Sequence, residues 1–227
     1  MQHTAIIVAG GTGTRMGGNI PKQFLPLKGV PIIIHTLRKF WAANGRTEIV
    51  LVLHPDYSAE WEKIAGKYLL TVEKKHIRLC EGGTERIFSV ENGLNCLSQL
   101  VGDRKDVLVA VHDAVRPFVS VEVIQKTFQI AEKQGAAIPC VAVKSSLRKI
   151  VSLENMETEA VDRADFLEVQ TPQVFVFEEL KACFDKREFD DFTDEASLYE
   201  EVSGKRVAIV EGSYDNIKIT TPADLKN

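Results

Sequence analysis

The sequence predicts a single Rossmann-like α/β domain of three layers, a mostly parallel sheet with helices on both faces. Continuous apolar runs of strand length recur at Thr4–Ala9, Glu48–Leu53 and Val107–Val111, and strands of that kind are covered on both faces. Segments with apolar residues at helical spacing alternate with them, which argues for parallel strands joined by helical crossovers. Polar segments follow Ala9, Val111, Val143 and Val210, at the carboxyl ends where such sheets bind ligands.

Each element has its own signal. Thr4–Ala9 runs straight into a Gly-rich turn, so it reads as a buried first strand. Pro31–Ala42 spaces Ile33, Ile34, Leu37 and Phe40 along one helical face, with Pro31 tolerated in a first turn. Thr84–Leu97 repeats the pattern through Ile87, Val90, Leu94 and Leu97, with Thr84 as its expected N-cap. Val121–Lys133 is a third helix, capped by Ser120. Late in the chain, Thr193 is a suitable cap for a further helix, and Thr221-Pro222 has the form of a cap followed by proline. The charged stretch 144–168 breaks the rhythm, with one apolar pair at Ile150-Val151. A plain surface loop would fit it; the reading adopted is a projecting β-arm that packs against a second subunit, because long segments inside compact domains usually serve an interaction.

Composition sets the limits. The 227 residues suit one domain, 1–227, with a substantial core. With 28 basic and 32 acidic residues the net charge is −4, so no global field draws the chain to nucleic acid or to an anionic membrane. No apolar run approaches the roughly 20 residues that span a bilayer. The N-terminus lacks the pattern of a signal peptide, and the four cysteines show no CxxC spacing, so reduced, buried thiols and a cytoplasmic setting are expected.

The chemistry-bearing strings lie at the strand ends. Ala9-Gly10-Gly11-Thr12-Gly13-Thr14-Arg15-Met16-Gly17, followed by Pro21-Lys22-Gln23, comes directly after the first strand. It lacks the third glycine of a dinucleotide turn and the GxxxxGK[ST] order of a P-loop. Instead it flanks glycines that expose backbone N–H groups with two cations, Arg15 and Lys22, suited to a triphosphate. Val111-His112-Asp113-Ala114-Val115-Arg116-Pro117 places Asp113 at a strand end, where a carboxylate can hold Mg²⁺; Asp215 is the second candidate ligand. His112 invites a role as base, but an oriented, buried histidine explains it as well. Gly82-Gly83 leading to Ser89 offers a helix-entry turn for a base edge or anion, or a plain strand-to-helix connection. Val161-Asp162-Arg163, Gln170-Thr171-Pro172-Gln173, Thr193-Asp194-Glu195-Ala196-Ser197 and Asn216-Ile217-Lys218-Ile219-Thr220 each supply a hydroxyl or cation for a second phosphate.

Together these strings resemble the 2-C-methyl-D-erythritol 4-phosphate cytidylyltransferases of the non-mevalonate isoprenoid pathway, in the family's order from Ala9 to Leu225. The resemblance implies a nucleotidyltransferase fold, transfer of CMP from CTP to the polyol phosphate, and Mg²⁺. It assigns Arg15, Lys22 and Lys218 to catalysis, and Ala9, Gly10, Gly11, Gly13, Gly83 and Ser89 to CTP. Arg116, Ser146, Arg163, Thr171 and Thr193 fall to the polyol phosphate, and Asp113 and Asp215 to the metal. It also implies a homodimer whose arm reaches toward the partner's site. The attacking phosphate is already an anion, so no general base is needed and His112 is left out of the catalytic set.

The chain departs from the family in places. Ala142-Val143-Lys144-Ser145-Ser146 replaces the usual Pro-Val-x-Asp-Thr, so Ser145 stands where a carboxylate is usual. Gly10 replaces an alanine, as in the related ribitol 5-phosphate cytidylyltransferases, which provide the alternative substrate. A nucleotide-binding regulator without turnover is the other class considered; Arg15, Lys22 and Asp113, all retained, speak against it.

Overall fold

The computed structural model describes residues 1–10, 20–45 and 47–226. Its middle layer is an eight-stranded sheet. β1 (Gln2–Ala9) lies parallel between β4 (Glu48–Leu53) and β6 (Val107–Asp113), and β5 (Ile77–Glu81) adds a parallel edge beyond β4. Beyond β6 come β11 (Gln173–Val176), antiparallel, then β7 (Ala136–Ala142), and β12 (Ala208–Glu211) parallel to β7. β10 (Leu167–Val169) pairs antiparallel with the far end of β7. Only β10 and β11 run against the rest.

Period-two alternation divides the core. Ala5, Ile7 and Ala9 of β1 pack with Ile49, Leu51 and Leu53 of β4 under α1 (Ile32–Asn44), α2 (Ser58–Tyr68) and α5 (Val121–Gln134). Ile6, Val50 and Val52 point the other way, toward α4 (Arg86–Val101), α6 (Phe177–Lys186) and α7 (Glu195–Ser203). The helical stripe expected for α1 is there: Ile33, Ile34, Leu37 and Phe40 are fully buried, and each such side chain contributes about 1.5–3 kcal/mol of transfer free energy. A small hairpin of β2 (Pro26–Leu27) and β3 (Val30–Pro31) precedes α1, and α3 (Thr71–Lys74) is a single turn.

Ser120 accepts the Val123 N–H at 3.0 Å, as expected. Thr84 is not a cap: α4 starts at Arg86, two residues later, and its N-cap Glu85 makes no side-chain cap bond. That turn is tied from within the helix, since Ser89 Oγ accepts the Gly83 N–H and donates to the Glu85 carbonyl, both at 3.0 Å. Thr193 yields its expected place to Asp194, whose carboxylate takes the Ser197 N–H at 2.9 Å.

The stretch 144–168 is an arm for most of its length. β8 (Arg148–Ser152) and β9 (Glu157–Ala160) form a two-stranded hairpin of their own, whereas Leu167 and Glu168 return to the main sheet in β10. Ile150, Val151, Leu153 and Met156 are exposed on the arm. All four cysteines are free; Cys140 and Cys183 are buried, Cys80 and Cys96 only half-buried. Among the described residues no helix is long and apolar enough to cross a membrane.

Candidate active site

Two clefts open at the carboxyl ends of the parallel strands. The larger, about 480 Å³, is floored by Ala9, Gly10, Gly83 and Ser89 and bordered by Lys22. The end of β1 positions Lys22: Gln23 Nε2 donates to the Ala9 carbonyl at 2.8 Å and holds the short turn Lys22–Phe24 against the strand. Close approach explains two glycines. A Cβ on Gly83 would lie 2.4 Å from Phe88 Cβ, and one on Gly10 would lie 3.0 Å from Ser89 Oγ, so Gly83 lets the first turn of α4 pack closely and Gly10 leaves room for the Ser89 hydroxyl.

The smaller cleft, about 260 Å³, is lined by Arg116, Thr171 and Thr193, and shares Arg86, Asp113 and Lys218 with the first. Asp113, at the end of β6, is therefore the junction. Its carboxylate faces Arg86 Nε at 3.4 Å, Arg116 Nε at 3.2 Å and Lys218 Nζ at 3.1 Å. Burial pushes this carboxyl's pKa up, but the Arg86, Lys218 and Arg116 charges outweigh burial and hold it far below the usual carboxylate range. Arg116 also donates to the Asn216 carbonyl at 2.8 Å and so ties down the loop that delivers Lys218.

His112 and Thr171 brace this junction from beneath. His112 Nε2 meets the Arg116 carbonyl at 3.3 Å, a group that can only accept, so Nε2 carries the proton. Nδ1 then accepts from Thr171 Oγ1 at 2.9 Å, and the same hydroxyl accepts the Asp113 N–H at 3.3 Å. Burial pushes the His112 pKa down to about 4, which keeps the ring neutral near pH 7 and makes it a weak base whose two nitrogens are both engaged. Thr171 does line the smaller cleft, yet its hydroxyl is engaged inward.

The sequence-predicted residues separate into three groups. Ala9, Gly10, Lys22, Gly83, Ser89, Asp113, Arg116, Thr171, Thr193 and Lys218 gather at the clefts. Gly11, Gly13 and Arg15 lie outside the described residues. Asp215, Ser146 and Arg163 are not brought to either cleft. The Asp215 side chain is exposed and lines neither cleft, and no group of three or more metal-ligating side chains occurs among the described residues. Ser146 is exposed at the root of the arm, and Arg163 donates to the Lys144 carbonyl beside a separate hollow with Phe166. Sequence reading gave no role to Arg86 or Glu195. A glutamate in the first turn of an amphipathic helix looks like dipole compensation, and only tertiary structure reveals it as 2% exposed against an arginine.

A glycine-floored cleft beside β1, joined through one buried carboxylate to a second cationic cleft, suits a nucleotide beside another phosphorylated molecule; this fold and site define a nucleotidyltransferase. The family model described as IspD, 2-C-methyl-D-erythritol 4-phosphate cytidylyltransferase, matches residues 3–227. The chain belongs to that family of cytidylyltransferases. A relative of that name from Porphyromonas gingivalis is 46% identical over 221 residues, covering 97% of this chain and 93% of its own length. One from Bacteroides thetaiotaomicron is 43% identical, covering 100% and 97%. Among solved structures, 2-C-methyl-D-erythritol 4-phosphate cytidylyltransferase from Francisella tularensis superposes with a TM-score of 0.78 at 31% identity, covering 100% of this chain and 97% of that one.

Proposed function

We propose that the chain transfers CMP from CTP to 2-C-methyl-D-erythritol 4-phosphate, releasing pyrophosphate. The observation that supports this reading is the shared wall of the two clefts, Arg86, Asp113 and Lys218, which joins room for one phosphorylated molecule to room for a second. CTP occupies the larger cleft, with its base and ribose toward Gly10, Gly83 and Ser89. The polyol phosphate occupies the smaller one, near Arg116 and Thr193. Its phosphate oxygen attacks the α-phosphorus in line and pyrophosphate leaves. The attacking oxygen is already anionic, so the protein's task is positioning and charge neutralisation. Arg15, Lys22 and Lys218 carry out the neutralisation.

Asp113 would hold Mg²⁺ through its carboxylate, the hard oxygen donor that ion prefers, in exchange for part of its contact with Arg86, Arg116 and Lys218. Bound there, the ion would draw off charge from the phosphates during transfer. The enzyme acts as a cytoplasmic homodimer: the exposed apolar arm supports a partner, and Ser146 and Arg163, which line neither of this chain's own clefts, serve the partner's polyol phosphate.

Gly10 favours a second reading, ribitol 5-phosphate as acceptor. The test is pyrophosphate release from CTP and Mg²⁺ with methylerythritol phosphate and ribitol phosphate in parallel. Release with methylerythritol phosphate alone is expected; preference for ribitol phosphate would keep the chemistry and replace the acceptor, and silence with both would remove the reading.

A further inference from the structure

Arg86 opens α4 and Glu195 opens α7, so the pair joins the turn beside the larger cleft to the turn beside the smaller one. The Glu195 carboxylate is 2% exposed and takes both terminal nitrogens of Arg86, Nη1 at 2.5 Å and Nη2 at 3.0 Å. Nε faces Asp113 at a long 3.4 Å. A guanidinium has five N–H donors in a rigid fork. Three are directed at these two carboxylates, and the other two meet no acceptor among the described residues.

We propose that Glu195 is a positioning residue for CMP transfer: by gripping the fork of Arg86 it keeps that guanidinium from closing on Asp113 and presents its remaining donors to the phosphates at the junction. The inference rests on the transfer reading above and deepens it. Arg86 is the arginine of the wall shared by both clefts, so its charge is available to the α-phosphate as the incoming oxygen approaches. With Glu195 neutralised, the fork of Arg86 is released toward the next carboxylate, Asp113. A bidentate pair there would displace Lys218 and withdraw two cations from the reacting phosphates at once.

A plain structural clamp is the competing account, and α7 has other anchors. Ala196, Leu198 and Tyr199 are buried, Asp194 caps the helix, and Gln173 Oε1 accepts the Ala196 N–H at 2.9 Å. The test is steady-state kinetics of Glu195→Gln, Arg86→Gln and the double variant, each checked by urea unfolding. Glu195→Gln is expected to lower kcat about 10- to 100-fold, by comparison with a lost transition-state donor, with the KM for CTP within about threefold. The double variant is expected to be no worse than Arg86→Gln alone, since both changes disable one group. Arg86→Lys, which keeps the charge but not the fork, is expected to lose kcat with unfolding unchanged, and serves if Glu195→Gln folds poorly. A Glu195→Gln kcat within about twofold of wild type, Arg86→Lys kcat retained, or losses that multiply in the double variant would overturn the positioning role. Wild-type turnover in the same assay checks the transfer reading separately: its absence defeats that reading, whereas wild-type turnover with undiminished Glu195→Gln defeats only this one.

Discussion

Lys22 illustrates how far a single side chain can be read. Its distance from Arg15 across a Gly-rich turn pointed to a triphosphate, and the Gln23–Ala9 bond explains how the turn is held at the larger cleft. Lys22→Ala is expected to reduce turnover on the order of 10²–10³-fold, the cost of losing one preorganised charge aimed at the transition state; near-normal turnover in a CTP assay would remove Lys22 from the mechanism. His112 was open in the sequence because its partner Thr171 lies across the sheet on the approach to β11, a pairing no local string reveals. Its neutral burial predicts a pH effect on the ligand-free protein. The folded pKa, about 4, lies below the unfolded value of 6.5, so between them the unfolded chain binds the proton and the folded one does not. Stability therefore falls as pH drops from about 6.5 to about 4, by roughly 2 kcal/mol at pH 5. The groups facing the ring are Asp113, Arg116, Thr171 and Phe40; Asp113, with its depressed pKa, adds its own loss as pH falls through the ordinary aspartate value of 3.8 and below. Urea titrations at pH 7 and 5 should show the drop in wild type and a shallower one in His112→Gln; equal drops would assign the loss elsewhere.

Strands and helices were legible where one periodicity repeats. β4 begins and ends where the apolar run does, and α1 and α5 begin within a residue or so of expectation. Starts where neighbouring residues compete to cap were not: Thr84 and Thr193 have the chemistry of caps, yet Ser89 and Asp194 do the tying. Gly93 shows another contact invisible to periodicity. In sequence it is a glycine that weakens α4, but a Cβ there would sit 2.7 Å from Ile6 Cγ2 and 3.1 Å from Val52 Cγ2, both on fully buried side chains. Gly93→Ala gains up to about 1 kcal/mol in helix propensity and loses about 1–3 kcal/mol to overpacking, so a net destabilisation near 1 kcal/mol is expected. Gly66, in α2 with nothing near its absent Cβ, provides the opposite sign: Gly66→Ala should stabilise by about 0.5–1 kcal/mol. Paired urea titrations measure both, and a stabilised Gly93→Ala would mean that α4 is not pinned to the sheet at that point.

The three-layer architecture was readable because buried parallel strands need covering helices, a constraint that acts along the entire chain; the arm was readable only as a break in that constraint. A lone two-stranded hairpin is marginal in water, and this one exposes Ile150, Val151, Leu153 and Met156, an apolar strip that calls for cover. If a second copy provides it, Arg163 works in the partner's cleft while Lys22 works in its own. Two defective chains should then complement one another. In a mixed population of Lys22→Ala and Arg163→Ala, half the dimers are hetero-pairs, and each has one cleft with native Lys22 and a native partner arm. About a quarter of wild-type activity should therefore return on mixing, as two-fold symmetry requires, although each variant alone is nearly inactive. Ile150→Asp/Val151→Asp chains, which keep both side chains but lose the apolar strip, should run as monomers by light scattering and fail to complement. Activity that stays at the sum of the parents after subunit exchange would mean that each cleft is complete within one chain, and that the arm serves assembly alone.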